Sequence, residues 1–197
     1  MLPVDKTAGG TWIAASSAGK VRCLLNGAFK PHEFNPPYKL SRGLVLLESL
    51  KHPDLSTFHK SFDFEGIQPF TLVAFDLKHK QTEEIRFTGD ELTHTKINSN
   101  KPSIWSAAQL YSKENIEFRE ELFNEFIADS SRVTPDNLLS FHKQENLSDP
   151  DKGFIINREE KVKTTSIIQV VLKNGDLKVR FEDLLNSRVD EKRLELE

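Results

Sequence analysis

The chain has 197 residues, of which 37% are hydrophobic and 29% charged, and its 27 basic and 30 acidic side chains leave a net charge of −3. A chain of this length can bury enough surface to need no disulfide or metal staple. The single cysteine, Cys23, excludes a disulfide framework and suits a reducing compartment. Interspersed charge gives no basic footprint for a phosphate backbone, so no nucleic-acid partner is expected. The longest apolar run, Gly43 to Leu47, is far too short to span a bilayer, and the first ten residues lack a signal or transit pattern. No membrane association and a cytoplasmic location are the expectations.

In chain order, Thr11–Ala15 and Val21–Leu25 are apolar runs joined by small residues with Gly19, which predicts a hairpin. Residues 26–38 hold three prolines and no period, and read as a loop. Ser41 caps a predicted helix through Leu50 with Leu44, Leu47 and Leu50 on one face, ended by Pro53. Phe70–Phe75 and Glu84–Phe87 make a second strand pair linked by the polar stretch 78–83. Phe118, Leu122 and Phe126 repeat at helical spacing, opposite a face with Glu117, Arg119, Glu120, Glu121 and Glu125. Thr134-Pro135-Asp136 starts another short helix, and residues 146–153 read as a loop. Thr165–Leu172 reads as a strand buried on both faces. Asn174-Gly175 is a type I′ turn signal, and the returning strand has Lys178, Arg180 and Glu182 on a wet face. The organisation expected is one α+β domain over 1–185 and a charged tail over 186–197, either a ragged helix or disordered.

The six histidines (His32, His52, His59, His79, His94, His142) show no metal-binding spacing, and no phosphate-binding glycine pattern occurs, so no metal site and no cofactor are expected. Cys23, inside an apolar strand, reads as a small buried hydrophobe rather than a nucleophile.

Ala8-Gly-Gly-Thr-Trp-Ile-Ala14, followed by Gly19-Lys-Val-Arg-Cys-Leu-Leu-Asn-Gly27, resembles the Gly-Gly-Thr-Trp core of the NRDE family, which includes the transport-and-Golgi-organisation 2-like proteins. Pro37-Tyr38 with Ser41-Arg42-Gly43, Ile97-Asn98 with Trp105-Ser106 and Leu110-Tyr111, and Lys163–Ile168 through Asn174-Gly175 resemble later family segments in the same order. The resemblance implies an N-terminal nucleophile hydrolase-like αββα fold, two stacked and largely antiparallel sheets flanked by helices. It also implies a Met-Cys start whose cysteine attacks with its own α-amine as base. This sequence starts shortly before Gly-Gly-Thr-Trp with Leu at position 2. The expectation is therefore an N-terminally truncated domain, missing its first strands, its nucleophile and the Asn-Arg-Asp-Glu motif, through an internal gene-model start, a fragment or a natural short form.

From the same resemblance Asn26 takes the part of an oxyanion-donating strand-end asparagine, with a plain Asn-Gly turn as the alternative. Asn98 resembles a second site asparagine, or is an ordinary loop residue. Lys163 stands where relatives carry Arg, and is otherwise a solvated strand-start lysine. Trp12 reads as core, with a wall of the substrate cleft as the alternative. The function implied is that of a cysteine N-terminal nucleophile amidase acting on a small linear amide, inactive in this chain for want of the nucleophile. The alternative is a non-catalytic carrier of an amphipathic ligand such as haem or an acyl lipid. A small molecule is the expected partner, and loss of the first strands would leave a sheet edge open to homodimerisation.

Overall fold

A computed structural model describes residues 3, 9–129, 131, 133–143, 152–159 and 161–197. The chain groups into two compact units, Met1–Ser112 with Glu197 and Lys113–Leu196. The fold is α+β and every strand pairing within its sheets is antiparallel.

In the first unit, β1 (Ile13–Ala15) and β2 (Lys20–Asn26) form the expected hairpin, with Ile13 opposite Cys23. The turn closes by Gly19 N donating to Ser16 O at 3.0 Å. Helix α1 (Arg42–Ser49) is capped by Ser41, whose Oγ accepts from Leu44 N. Its buried residues are Val45, Leu46 and Ser49, one step round from the expected Leu44, Leu47 and Leu50 face. The helix is set in that rotation by its first turn, where Gly43 lies backbone to backbone against Gly10. A second helix, α2 (Leu55–Ser61), was not anticipated; Asp54 caps it directly after Pro53 and it buries Leu55 and Phe58.

Strands β3 (Phe70–Asp76) and β4 (Gln81–Phe87) match the second predicted pair, and β4 extends back into the stretch read as a linker. The polar β5 (Leu92–Ile97) escaped prediction and completes a sheet in the order β1-β2-β3-β4-β5. Leu24, Leu72 and Ile85 stand in cross-strand register on one face. With Val45 and Leu46 of α1 and Leu55 and Phe58 of α2 they make one buried cluster. Each such side chain contributes about 1.5–3 kcal/mol by burial.

The second unit contains α3 (Lys113–Ala128), α4 (Pro135–His142), the short pair β6 (Asn157–Arg158) and β7 (Val162–Lys163), and β8 (Ser166–Lys173), β9 (Asp176–Asp183) and β10 (Arg188–Glu195) in the order β10-β9-β8. Thr134 caps α4 as predicted, its Oγ1 accepting from Asn137 N at 3.1 Å. The α3 periodicity holds, but Arg119, placed by sequence on the wet face, is buried. It donates to Gly153 O at 2.6 Å and lies 4.1 Å over the Phe154 ring. Phe141 stacks on Phe126 at 4.7 Å and meets Phe154 at 4.7 Å, an aromatic core for this unit.

Asn174 (φ 54°) and Gly175 (φ 86°) form the predicted hairpin turn. Strand β8 is half-buried over Ser166–Val171 and exposed at Leu172 and Lys173 rather than buried on both faces, and among the described residues it pairs with β9 alone. Glu182, expected wet, is 4% exposed, held by Arg180 at 2.6 Å and Lys143 at 2.5 Å. Residues 188–195 are a strand and neither a helix nor a disordered tail. Their charges find partners across the ladder: Glu191 meets Lys178 at 2.8 Å and Arg180 at 2.9 Å. The loop read over 146–153 falls mostly outside the described residues.

Candidate functional site

Strand β2 ends at Asn26, opposite Phe70. Gly27 then turns the chain at φ 85°, a conformation that favours glycine, and donates its N–H to Pro69 O at 3.1 Å. The turn is braced from several sides. Thr71 Oγ1 donates to Gly27 O at 3.0 Å and Arg86 Nη1 to Ala28 O at 3.0 Å. Arg86 is held by both oxygens of Glu84, and Glu84 also receives Trp105 Nε1 at 2.6 Å. Asn26 O accepts from Gln109 N at 3.1 Å, and the Gln109 side chain bonds the His32 backbone in both directions, at 2.9 and 3.1 Å. None of these bonds uses the Asn26 side chain, which is exposed and has no hydrogen-bond partner among the described residues.

Arg42, the first residue of α1, reaches the same place. A Cβ on Gly10 would lie 2.8 Å from Gly43 Cα, and one on Gly43 would lie 2.9 Å from Thr11 N, so the Gly-Gly-Thr-Trp and Ser-Arg-Gly segments interlock through their glycines. Arg42 Nη1 then donates to Pro69 O at 3.4 Å, the carbonyl that Gly27 N also uses. The guanidinium is therefore one carbonyl oxygen away from the Asn26–Gly27 peptide. Desolvation by burial pulls its pKa down, with Tyr38 opposing, and no carboxylate pairs with it among the described residues.

His32 is pushed below the ordinary imidazole range by burial and by Arg42, and its Nδ1 is buried without a partner. Tyr38 Oη accepts from Asn35 N at 2.6 Å, which leaves its own hydroxyl proton available. The arrangement offers an amide donor, a fork of guanidinium donors and a neutral imidazole. It is chemistry for holding an oxygen-rich ligand.

Within the first unit the structure does not bring the two expected asparagines together. Because β2 runs toward the Phe70–Phe87 end of the sheet and β5 runs away from it, Asn98 emerges at the opposite end from Asn26. There its Oδ1 accepts from Asn100 N at 3.0 Å, an ordinary loop asparagine, beside an open groove of about 260 Å³ lined by Lys80, Thr82, Glu83 and Lys96. Lys163 is an exposed residue of β7, opposite Asn157, in the second unit. Trp12 is 40% exposed and not core; its carbonyl accepts from Leu24 N at 2.8 Å, two residues before Asn26. Cys23 sits in mid-strand, where burial pushes its thiol up to about 11.

Arg42, His32 and Gln109 were missed as site residues. Arg42 carries a local signal in the Ser41-Arg42-Gly43 segment, whereas nothing local marks a loop histidine or a glutamine that acts through its backbone neighbours. Among the described residues no group of three or more His, Cys, Asp or Glu is placed to hold a metal ion, and no helix is long and apolar enough to cross a membrane. The family model for Transport and Golgi organisation 2 matches residues 1–178. No curated protein matches the chain.

Proposed function

The chain belongs to the Transport and Golgi organisation 2 family, and from that premise we propose that its first unit recognises a small linear amide, Asn26 donating to the carbonyl oxygen. The observation that carries this reading is the uncommitted Asn26 side chain on a turn whose Asn26, Gly27 and Ala28 carbonyls and Gly27 N–H are all engaged. An amide with no existing partner gives up no hydrogen bond within the protein when it turns to a carbonyl oxygen. Cys23 is not the attacking group of this reading, since a thiol near 11 carries almost no thiolate at neutral pH.

The test is paired binding and turnover with N-acetylglycinamide, a neutral probe. Saturable binding without product is expected, and Asn26→Ala weakens it about fivefold to tenfold, the worth of one neutral hydrogen bond. Turnover by the 197-residue chain that disappears in Asn26→Ala would replace recognition by catalysis.

A second reading, a carrier of an amphipathic ligand such as haem or an acyl lipid, is favoured by three exposed aromatics near the same strand end: Trp12 at 40%, Phe29 at 59% and Phe34 at 75%. A haem titration giving no Soret shift at micromolar protein removes the haem version. Association of two copies through the β1 or β5 edge would add mass in light scattering and is part of neither reading.

A further inference from the structure

We infer that Arg42, with Asn26 beside it, forms a subsite for the oxyanion of a small ligand, a carboxylate or a phosphate monoester. The inference deepens the amide reading and rests on it for the role of Asn26 alone.

A guanidinium presents five N–H donors in a planar fork that fits two oxygens of an anion. In this molecule Arg86 and Arg180 spend that fork on carboxylates, while Arg22 leaves Nε and Nη2 without a hydrogen-bond partner among the described residues but has carboxylates acting on its charge. Arg86 is bidentate on Glu84, and Arg180 is shared between Glu182 and Glu191. Arg22, the most deeply buried, has Glu83, Asp54 and Asp76 acting on its charge. Arg42 is half-buried and makes a single long bond to Pro69 O, with no carboxylate partner among the described residues.

Taking a cation partly out of water without a counter-charge costs free energy that an anion in contact with it offsets. The groups around it suit that ligand. The Asn26 amide supplies two further N–H donors, and the Tyr38 hydroxyl a third. Arg42 and Gly27 N converge on the Pro69 carbonyl, which fixes the separation between fork and strand end. His32 Nδ1, buried and unpartnered, adds a polar atom with no negative charge to repel the ligand. A ligand bearing an amide carbonyl and, a few bonds away, an anionic group would use both Asn26 and Arg42.

The experiment measures dissociation constants by NMR titration of the full 197-residue chain, at constant ionic strength, with N-acetylglycinate, N-acetylglycinamide and inorganic phosphate. The amide signals of Gly27 and Gly43 report the site. N-acetylglycinate is expected to bind more tightly than N-acetylglycinamide and to shift both signals. Arg42→Gln is expected to weaken it at least tenfold while leaving N-acetylglycinamide within twofold. Arg42→Lys, which keeps the charge and loses the fork, falls between the two and serves if Arg42→Gln melts early. Phosphate binding tighter than N-acetylglycinate, and equally sensitive to Arg42→Gln, identifies a phosphate monoester as the source of the anion.

Equal affinity for the charged and neutral probes, unchanged by Arg42→Gln, overturns the anion subsite and leaves the amide reading standing. Loss of N-acetylglycinate binding in Arg42→Gln with no effect of Asn26→Ala keeps the subsite and removes the amide reading. Absence of Gly27 and Gly43 shifts with any probe overturns the subsite.

Discussion

The two ends of the five-stranded sheet use polar residues in opposite ways. Toward the Lys20–Asp76–Gln81 end, charges answer one another. Arg22 is 2% exposed and faces Glu83, whose Oε2 also accepts Leu55 N at 2.9 Å at the start of α2. His94 Nε2 lies 3.7 Å from the other Glu83 oxygen, and Asp76 holds His79 at 2.9 Å and Lys20 at 4.0 Å. Toward the Asn26–Phe70–Phe87 end, backbone groups and a few braces close the turn, while Asn26 and Arg42 are left over. Charges that compensate one another, even where Arg22 Nε and Nη2 and His94 Nε2 lack a hydrogen-bond partner among the described residues, describe a structural end. A guanidinium with no carboxylate beside it and an amide with no side-chain partner among the described residues describe an end with donors to spare.

That contrast can be broken or sharpened by substitution. The largest effect is expected at Glu83. Glu83→Ala removes the cap on Leu55 and the nearest compensation for Arg22, and should lower the urea-derived stability by about 3–5 kcal/mol. The double change Arg22→Met with Glu83→Gln should recover most of it, since an uncharged core needs no compensation. If Glu83→Ala costs nothing, the charged end is not structural. Next is Gly43→Ala, whose methyl would press on Thr11 N; a loss of about 2–3 kcal/mol in the same assay is expected.

A smaller effect follows from the imidazoles. His142 is held below its ordinary value of 6.5, burial leading, with the Leu138 carbonyl opposing and Arg119 assisting, and His32 is lowered by burial and Arg42. The unfolded chain therefore binds more protons in this range, so their contribution is complete above about 6.5 and is lost as pH falls through the lowered folded values. The urea midpoint should drop between about pH 7 and about pH 5, and His142→Phe should flatten that slope. The smallest effect is at Asn26. Asn26→Ala should change stability by less than about 0.5 kcal/mol, because that exposed side chain supports nothing; a larger loss would move it to the structural side of the comparison.

Much of the fold was legible because local chemistry repeats it. The Ser41 and Thr134 caps, the Asn174-Gly175 turn and the Phe-rich helix each carry a signal that tertiary contacts reinforce. Helix α2 was hidden because Pro53 reads as an ending while Asp54, the next residue, begins a new helix. Strand β10 was hidden because its eight residues are mostly charged, and a charged strand is recognisable only when its partner charges are known. The site suffered from a similar omission. Asn26 could be read from the end of its own strand, but Asn98 could not, since its end of the sheet depends on how many strands precede it. With β5 unseen, nothing in the sequence says at which end of the sheet Asn98 emerges. Arg42 and Gln109 come to Asn26 from 16 and 83 residues away, contacts that no local pattern encodes.

The glycine-on-glycine contact between residues 10 and 43 has a mechanical side. With no side chain between them, main chain rests on main chain, and neither segment can slide without taking the other along. Since Arg42 immediately precedes Gly43 at this fulcrum and Asn26 belongs to the strand paired with β1, helix α1 acts as a stiff lever. A slip of its first turn would change the gap between the two side chains, so amide-proton exchange at Thr11 should track the integrity of that spacing.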